Sequence, residues 1–204
     1  MDADHPPFRL ETDRLLLRPF APSDHDALHA IFSREEVVRY LYEGPHDEDE
    51  VQRRLDLKIT QRSIERPGDI LRLAVLSKAN GRVIGDVVLH WMDDEHRSAE
   101  VGFALHPDHQ GKGYTTEAVQ VLLRVAFEVL GLHRVFGRTE ARNVASARVM
   151  EKLGMRQEAH FVENEFVKDE WQSELVYAIL DREWEARPKR KPSTRTRSAA
   201  KARR

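Results

Sequence analysis

Two closely spaced glycines place the first chemical constraint on this chain. Gln110-Gly111-Lys112-Gly113-Tyr114-Thr115 lies between a segment that reads as a strand and one that reads as a helix. The first amides of a helix have no partners inside it and point outward at the positive end of its dipole. Glycine beside them lets an anion approach the backbone, so the stretch suits a phosphate group. A Walker loop would need GxxxxGK[ST], and a dinucleotide-binding fingerprint would need a third glycine where Thr116 stands. On its own, the stretch is equally compatible with a plain strand-to-helix turn. A second pattern follows. Asn143, Ser146 and Met150 are spaced i, i+3 and i+7 and share one helix face. A polar cap and a hydroxyl there could meet a ligand lying between two helices. The bland alternative is that Asn143 only caps its helix and Ser146 fills a polar first turn.

The elements that must position these residues can be read from periodicity. A strand is expected at 14–18, ended by Pro19, then a helix from Pro22 with Leu28, Ile31 and Phe32 on its apolar face. A second helix is expected from Asp47, with Val51, Leu55 and Ile59 four apart. The alternation over 70–76 predicts a half-buried strand. Asn80-Gly81 signals a hairpin turn into a partner strand at 83–91. A third strand, 99–105, places Val101, Phe103 and Leu105 on one face and leads into the glycine loop. After the loop come a helix with Val119, Leu122, Leu123, Ala126 and Leu130 on one face, a strand at 134–138, a helix at 143–153 stopped by Gly154, and strands at 156–167 and 170–180. This order implies an α/β (α+β) fold with a mixed sheet flanked by helices, because parallel neighbours need helical crossovers.

Composition bounds the function. The chain has 204 residues, 40% hydrophobic and 33% charged, enough for one domain with a full core. The expected organisation is an N-terminal extension at 1–7, a folded domain at 8–185 and a basic, disordered tail at 186–204. No apolar run approaches the ~20 residues of a membrane span, and the first residues do not read as a secretory signal. The cytoplasm is therefore the default compartment, with no membrane association expected. With no cysteine, a disulfide, a thiolate metal site and a cysteinyl acyl-enzyme are all excluded. The ten histidines show no metal-ligand spacing, so no metal is expected. The net charge of −2 conceals an asymmetry: Arg187 to Arg204 holds nine Lys/Arg and no acid. The other 186 residues carry 24 basic and 35 acidic side chains, about −11 formally.

Three segments together resemble the GNAT superfamily of N-acetyltransferases, most of all its ribosomal-protein alanine/serine N-terminal acetyltransferase branch. They are Leu10-Glu11-Thr12-Asp13-Arg14-Leu15-Leu16-Leu17-Arg18, the stretch from His106 to Ala118, and the stretch from Asn143 to Met155. The resemblance covers about residues 8–184. It implies a GNAT fold, with a mostly antiparallel sheet of about 6–7 strands and about four helices. It implies acetyl-CoA as cosubstrate, its pyrophosphate held by the amides of Gln110, Gly111, Lys112, Gly113, Tyr114 and Thr115. The backbone near Phe103 and Leu105, on a strand edge splayed from its neighbour, should bond the pantetheine. Asn143 should bond the pantetheine arm, with Ser146 close to the thiol. Two positions depart from the family pattern. Asp108 stands where Arg or Gln is usual and should point away from a pyrophosphate. Met150 stands where many members carry a tyrosine that protonates the leaving thiolate, so that role falls to Ser146, to water or to no side chain.

The implied reaction is direct attack of an amine on a thioester. An α-amine, with a pKa of about 7.7–8.0, needs less help than a lysine at about 10.4. Glu100, on the face opposite Val101 and Phe103, is the candidate base through a water, or else an ordinary solvated strand residue. His90 on the neighbouring strand is the second candidate, and Glu117 reads as a dipole or packing partner. His106 and His109 flank the loop, where a phosphate would raise their pKa. Acceptors compatible with the sequence are a protein N-terminus and a small cationic amine. Glu43, Asp47, Glu48, Asp49 and Glu50 could attract a cation or simply form a solvated helix start, and Glu163, Glu165, Asp169 and Glu170 add negative charge near 160–170. Two other classes stay open: a CoA-binding sensor without efficient catalysis, and a ribosome- or RNA-associated protein that uses the basic tail. Either a monomer or a homodimer is compatible with the sequence. Gly111→Asp is expected to abolish acetyl-CoA binding in isothermal titration while the thermal melt stays cooperative; wild-type affinity would refute the loop assignment.

Overall fold

The computed structural model describes residues 8–187. The expected extension at 1–7, and residues 188–204 of the expected tail, lie outside the described residues. The strands are β1 (Leu10–Glu11), β2 (Leu15–Pro19), β3 (Ile70–Ser77), β4 (Val83–Asp93), β5 (Ser98–Leu105), β6 (Arg134–Glu140), β7 (Arg156–Val167) and β8 (Glu170–Leu180). The helices are α1 (His25–Phe32), α2 (Glu35–Val38), α3 (Glu48–Thr60), α4 (Tyr114–Arg124), α5 (Val144–Lys152) and α6 (Asp181–Glu185). The strands form one sheet in the order β1-β2-β3-β4-β5-β6-β8-β7. Every neighbouring pair is antiparallel except β5 and β6. That parallel pair needs a crossover, which α4 and the π-helical turn Val125–Val129 supply.

The sheet is the middle layer of three. Leu15, Leu17, Leu71, Leu73 and Val75 pack toward α4 and α5, where Leu122, Leu123, Ala147 and Met150 meet them. Ala74 and Leu76 point the other way and join Leu28, Ile31, Val51 and Leu55 of α1 and α3. β3 is therefore buried on both faces, where its sequence alternation predicts burial on only one. A strand covered by helices on both sides has no solvated face to keep polar.

The sheet has eight strands where about seven at most were expected, and six helices where about four were expected. β1, α2 and α6 account for the difference. At two, four and five residues they are too short for a hydrophobic period to register. The β3–β4 connection is longer than a two-residue turn; Gly81 alone of the Asn80-Gly81 pair has positive φ, and Asn80 Oδ1 accepts from the Arg82 amide at 3.1 Å. The helix expected from Asp47 forms as α3, with the Asp47 side chain accepting from the Glu50 amide at 2.8 Å. No helix among the described residues is long and apolar enough to cross a membrane.

A buried ionic cluster fastens α3 to the sheet. Asp86 of β4 accepts from Lys58 of α3 and, at 3.1 Å, from Arg72 of β3. The Lys58 ammonium also lies 5.5 and 5.1 Å from the ring centres of Phe20 and Phe32. Burial alone would push the Asp86 carboxyl up; the two cations outweigh it and hold it below the usual range. Burial pushes the Lys58 ammonium down against the pull of Asp86. With Arg72 as a second donor, we take the ionised arrangement as the one the fold holds.

Two substitutions probe this layer. A Cβ at Gly85 would lie 2.4 Å from the Ala104 carbonyl oxygen and 2.7 Å from Leu105 Cδ1. Gly85→Ala should force β4 and β5 apart and lower stability by about 1–3 kcal/mol in urea denaturation. Asp86→Ala should leave Lys58 buried without its counter-ion and cost about 3–5 kcal/mol by the same measurement.

Candidate active site

β5 and β6 pair only from Ser98 to Glu100 and from Arg134 to Phe136. Beyond Glu100 they fork, and among the described residues β5 has no strand partner on that side from Val101 to Leu105. Gly137 stands just past the fork. A Cβ there would approach Met150 Sδ to 2.9 Å and the Val101 carbonyl oxygen to 3.3 Å. The missing side chain is what lets Met150 close the base of the fork. The fork opens a cleft of about 560 Å³.

On the α4–α5 side the cleft meets the glycine loop. Gly111 and Gly113 have φ of 72° and 79°, a left-handed conformation that disfavours other residues. Among the described residues, nothing beyond its own chain neighbours lies within 4 Å of where a Gly111 Cβ would stand, so the backbone there is open to a ligand. The loop is braced by the N-terminal segment. Arg14 donates to the Lys112 carbonyl at 3.0 Å and to Glu117 at 2.7 Å, and Thr12 donates to Glu117 at 2.5 Å. The Arg14 guanidinium lies 4.5 Å from the Tyr114 ring centre. Burial would push the Glu117 carboxyl up, but the bonds from Thr12 and Arg14 bring it below the usual value. Glu117 thus braces the N-terminal segment, in line with packing, one of its two expected readings.

The expected cofactor-binding residues Phe103, Leu105, Gln110, Gly111, Gly113, Tyr114, Thr115, Asn143 and Ser146 all line the cleft. Lys112 does not; its ammonium donates to the Asp108 carbonyl at 2.7 Å. Asp108 itself is exposed and off the cleft, as expected. Gln110 donates from its side chain to the Leu105 carbonyl at 3.0 Å. His109 lines the cleft, where burial and then Lys112 push it below its ordinary value. Asn143 accepts from the Ser146 amide at 3.1 Å, so its oxygen caps α5 and its NH2 is the donor left to offer. Met150 is buried and off the cleft. Arg148 and Lys152 of α5 line the same end and add positive charge to it.

The opposite side of the sheet is acidic. Glu100 lines the cleft and receives two bonds from Arg138, at 2.9 and 3.3 Å. Arg138 also approaches Glu174 of β8 to 3.7 Å. Glu165 of β7 accepts from the Tyr42 hydroxyl at 3.0 Å, and Lys168 donates to the Val38 carbonyl at 2.8 Å. These contacts hold the segment after α2 against the β7–β8 hairpin across the cleft. The Glu174 side chain is only 12% exposed, and burial raises its carboxyl above the ordinary glutamate value, with Glu165 and Glu100 adding to the rise and Arg138 opposing it.

Glu174 was missed in the sequence. Its one signal is an acid facing the same way as Gln172 in a strand that continues Leu-Val-Tyr-Ala-Ile-Leu. His90, the second candidate base, does not line the cleft. The acids of the α3 start also stay outside it: Asp47 caps the helix, while Glu43 and Glu50 pair with Arg53 and Arg54. Of the acids near 160–170 only Glu165 reaches the cleft. The cleft therefore runs through the sheet at the fork, with amide donors and cations at one end and carboxylates at the other.

Residues 14–156 match the sequence family described as acetyltransferase (GNAT) domain. The chain is 32% identical to the uncharacterized N-acetyltransferase YnaD of Bacillus subtilis, over 86% of this chain and 98% of that one. It is 33% identical to a putative ribosomal N-acetyltransferase of the same organism, but over 52% of this chain and 60% of that one. Its fold matches the crystal structure of a GNAT-family acetyltransferase from Bacillus anthracis with a TM-score of 0.77 and 30% identity, covering 86% of this chain and 99% of that one. It also matches the crystal structure of spermidine N-acetyltransferase from Vibrio cholerae in complex with CoA and spermine, with a TM-score of 0.71 and 25% identity over 85% of this chain and 99% of that one. With the family matched over most of its length, around a forked parallel strand pair and a glycine loop at a helix start, this chain belongs to the GNAT acetyltransferase family.

Proposed function

We propose that the protein transfers the acetyl group of acetyl-CoA directly to the primary amine of a cationic acceptor. The observation that carries this reading is the polarity of the cleft across the fork. An anionic cofactor is favoured at the α4–α5 end, where helix-start amides, an open Gly111 and the cations Arg148 and Lys152 converge. A cationic acceptor is favoured at the other end, where Glu36, Glu100, Glu165 and Glu174 line the wall and Arg138 is the cation among them. The solved relative with CoA and spermine acts on a polyamine, which supports a small cationic amine over a protein N-terminus. The match to a putative ribosomal acetyltransferase covers only half of this chain and keeps the N-terminus as the second reading.

The residues present fit the cofactor. Amides of residues 110–115 would hold its pyrophosphate, and the free edge of β5 near Phe103 and Leu105 would take the pantetheine as an added strand. The Asn143 NH2 would steady the pantetheine arm. Bound there, acetyl-CoA supplies an acyl group activated as a thioester. Ser146, in the first turn of α5, lines the cleft and would donate a proton to the departing sulfur, directly or through a water, where Met150 has none to give. Backbone amides of β5 are available to stabilise negative charge on the reacting carbonyl oxygen.

The direct test is isothermal titration with acetyl-CoA, followed by thiol release on the same sample across polyamines, amino acids and Ala- or Ser-initiated peptides. Binding with release on a polyamine is expected. Binding without release from any acceptor would favour a sensor, and no binding would overturn the cofactor assignment. Ser146→Ala should lower kcat by about tenfold or more with little change in acetyl-CoA affinity; unchanged turnover would remove Ser146 from the mechanism.

A further inference from the structure

Three carboxylates line the cleft beside the fork, Glu100, Glu165 and Glu174, and they are not equivalent. Glu100 receives both Arg138 hydrogen bonds, so its two oxygens are already engaged by a cation. Glu165 accepts from Tyr42. Glu174 is the least exposed of the three; Arg138 comes no nearer than 3.7 Å, too far for a hydrogen bond. We propose that Glu174 is the catalytic base that takes the proton from the acceptor ammonium, with the Arg138–Glu100 pair as the positioning element beside it. This rests on the acetyltransferase reading of the cleft.

The neighbourhood supplies the chemistry. Facing Glu174 are Glu100 from β5, Arg138 and the cross-strand partner Glu140 from β6, Glu165 from β7 and Tyr42 from the segment after α2. Glu140 is held by Arg142, which also pairs with Glu170. A carboxylate crowded by other carboxylates and burial binds a proton more readily than an isolated one. A base works best when its pKa approaches the working pH. An arriving ammonium supplies the positive charge that this group of acids lacks, so acceptor binding and proton transfer draw on the same residues.

The step balances. One ammonium proton passes to the Glu174 carboxylate. The freed nitrogen lone pair forms the C–N bond to the thioester carbonyl carbon as the C–S bond breaks. The second nitrogen proton goes to the departing sulfur, leaving an N-substituted acetamide and a free thiol, and Glu174 returns its proton to solvent.

The sign of the pH dependence follows. Glu174 must be ionised to act, so activity falls as pH drops through its raised pKa. Glu174→Gln should lower kcat at pH 7 by about 10²–10³. Its deficit should shrink as pH rises toward the acceptor's own pKa, where the free amine needs no base. Glu174→Asp should restore part of the rate and the acidic limb. A merely structural role would cost activity equally at every pH.

The experiment measures kcat and kcat/KM from pH 6 to 10 for the full chain and both variants. Acetyl-CoA is kept saturating, and the acceptor is whichever of spermidine and a Ser-initiated peptide the wild type acetylates. In parallel, side-chain 13C NMR of labelled glutamate, assigned with Glu174→Gln, follows the carboxyl titration with no acceptor present. A carboxyl titrating above the ordinary glutamate range, with a deficit that fades at high pH, supports the proposal. A Glu174 carboxyl in the ordinary range, a deficit independent of pH, or an acidic limb lost in Glu100→Gln but kept in Glu174→Gln overturns it. Failure of the wild type to bind acetyl-CoA would instead overturn the acetyltransferase reading beneath it.

Discussion

Everything at the site depends on a parallel strand pair that stops after three residues on each strand. β5 and β6 separate beyond Glu100 and Phe136 because Met150 and the Val101 backbone occupy the fork and Gly137 offers no side chain to resist them. A sheet normally satisfies the hydrogen-bonding groups of an interior strand on both sides. Here β5 keeps only its β4 partner from Val101 onward, in the middle of the sheet rather than at its edge. An extended ligand rich in amides can fill that gap, which a fully zipped sheet could not offer.

The fork also connects two chemical environments that the sheet would otherwise separate. α4 and α5 cover one face and bring a helix start, its open glycine and the cations of α5 to the cleft. α1 and α3 cover the other, and beside them the side chains of Glu100, Arg138 and Glu174 share the opposite face. An anion and a cation can therefore approach from opposite sides and meet at one carbonyl. The carboxylates are costly to crowd together, and Arg138 offsets that cost without reaching all of them equally. The resulting inequality leaves Glu174 with a raised affinity for protons while Glu100 holds both Arg138 hydrogen bonds.

The supporting contacts are long-range in sequence. Thr12 and Arg14 grip Glu117 and the Lys112 carbonyl across about a hundred residues, so the first resembling segment acts as a brace for the second. Tyr42 and Lys168 tie the segment after α2 to the closing hairpin in the same manner. The Asp86 cluster holds α3 against β3 and β4, with burial and ion pairing opposed and the pairing ahead. Each contact fixes a wall of the cleft using residues that do not themselves react.

The sequence by itself determined what depends on local period and on residue type. Alternation located the long strands, and the i, i+3, i+4 pattern located α3, α4 and α5. Gly111 and Gly113 marked a loop whose backbone an anion could approach, and the structure showed that both adopt positive φ. Met150 declared the lack of a hydroxyl by its identity alone. Only the tertiary structure decided which acids share the cleft. Of the conspicuous acids at the start of α3, Asp47 caps the helix and Glu43 and Glu50 pair with arginines, while Glu174, an unremarked acid of β8, came to lie within reach of Arg138. Proximity between residues of different strands depends on strand order and register, and pKa depends on burial and neighbouring charge. None of these is encoded in the spacing of one segment, so the base could be sought by type in the sequence but found only by position in the fold.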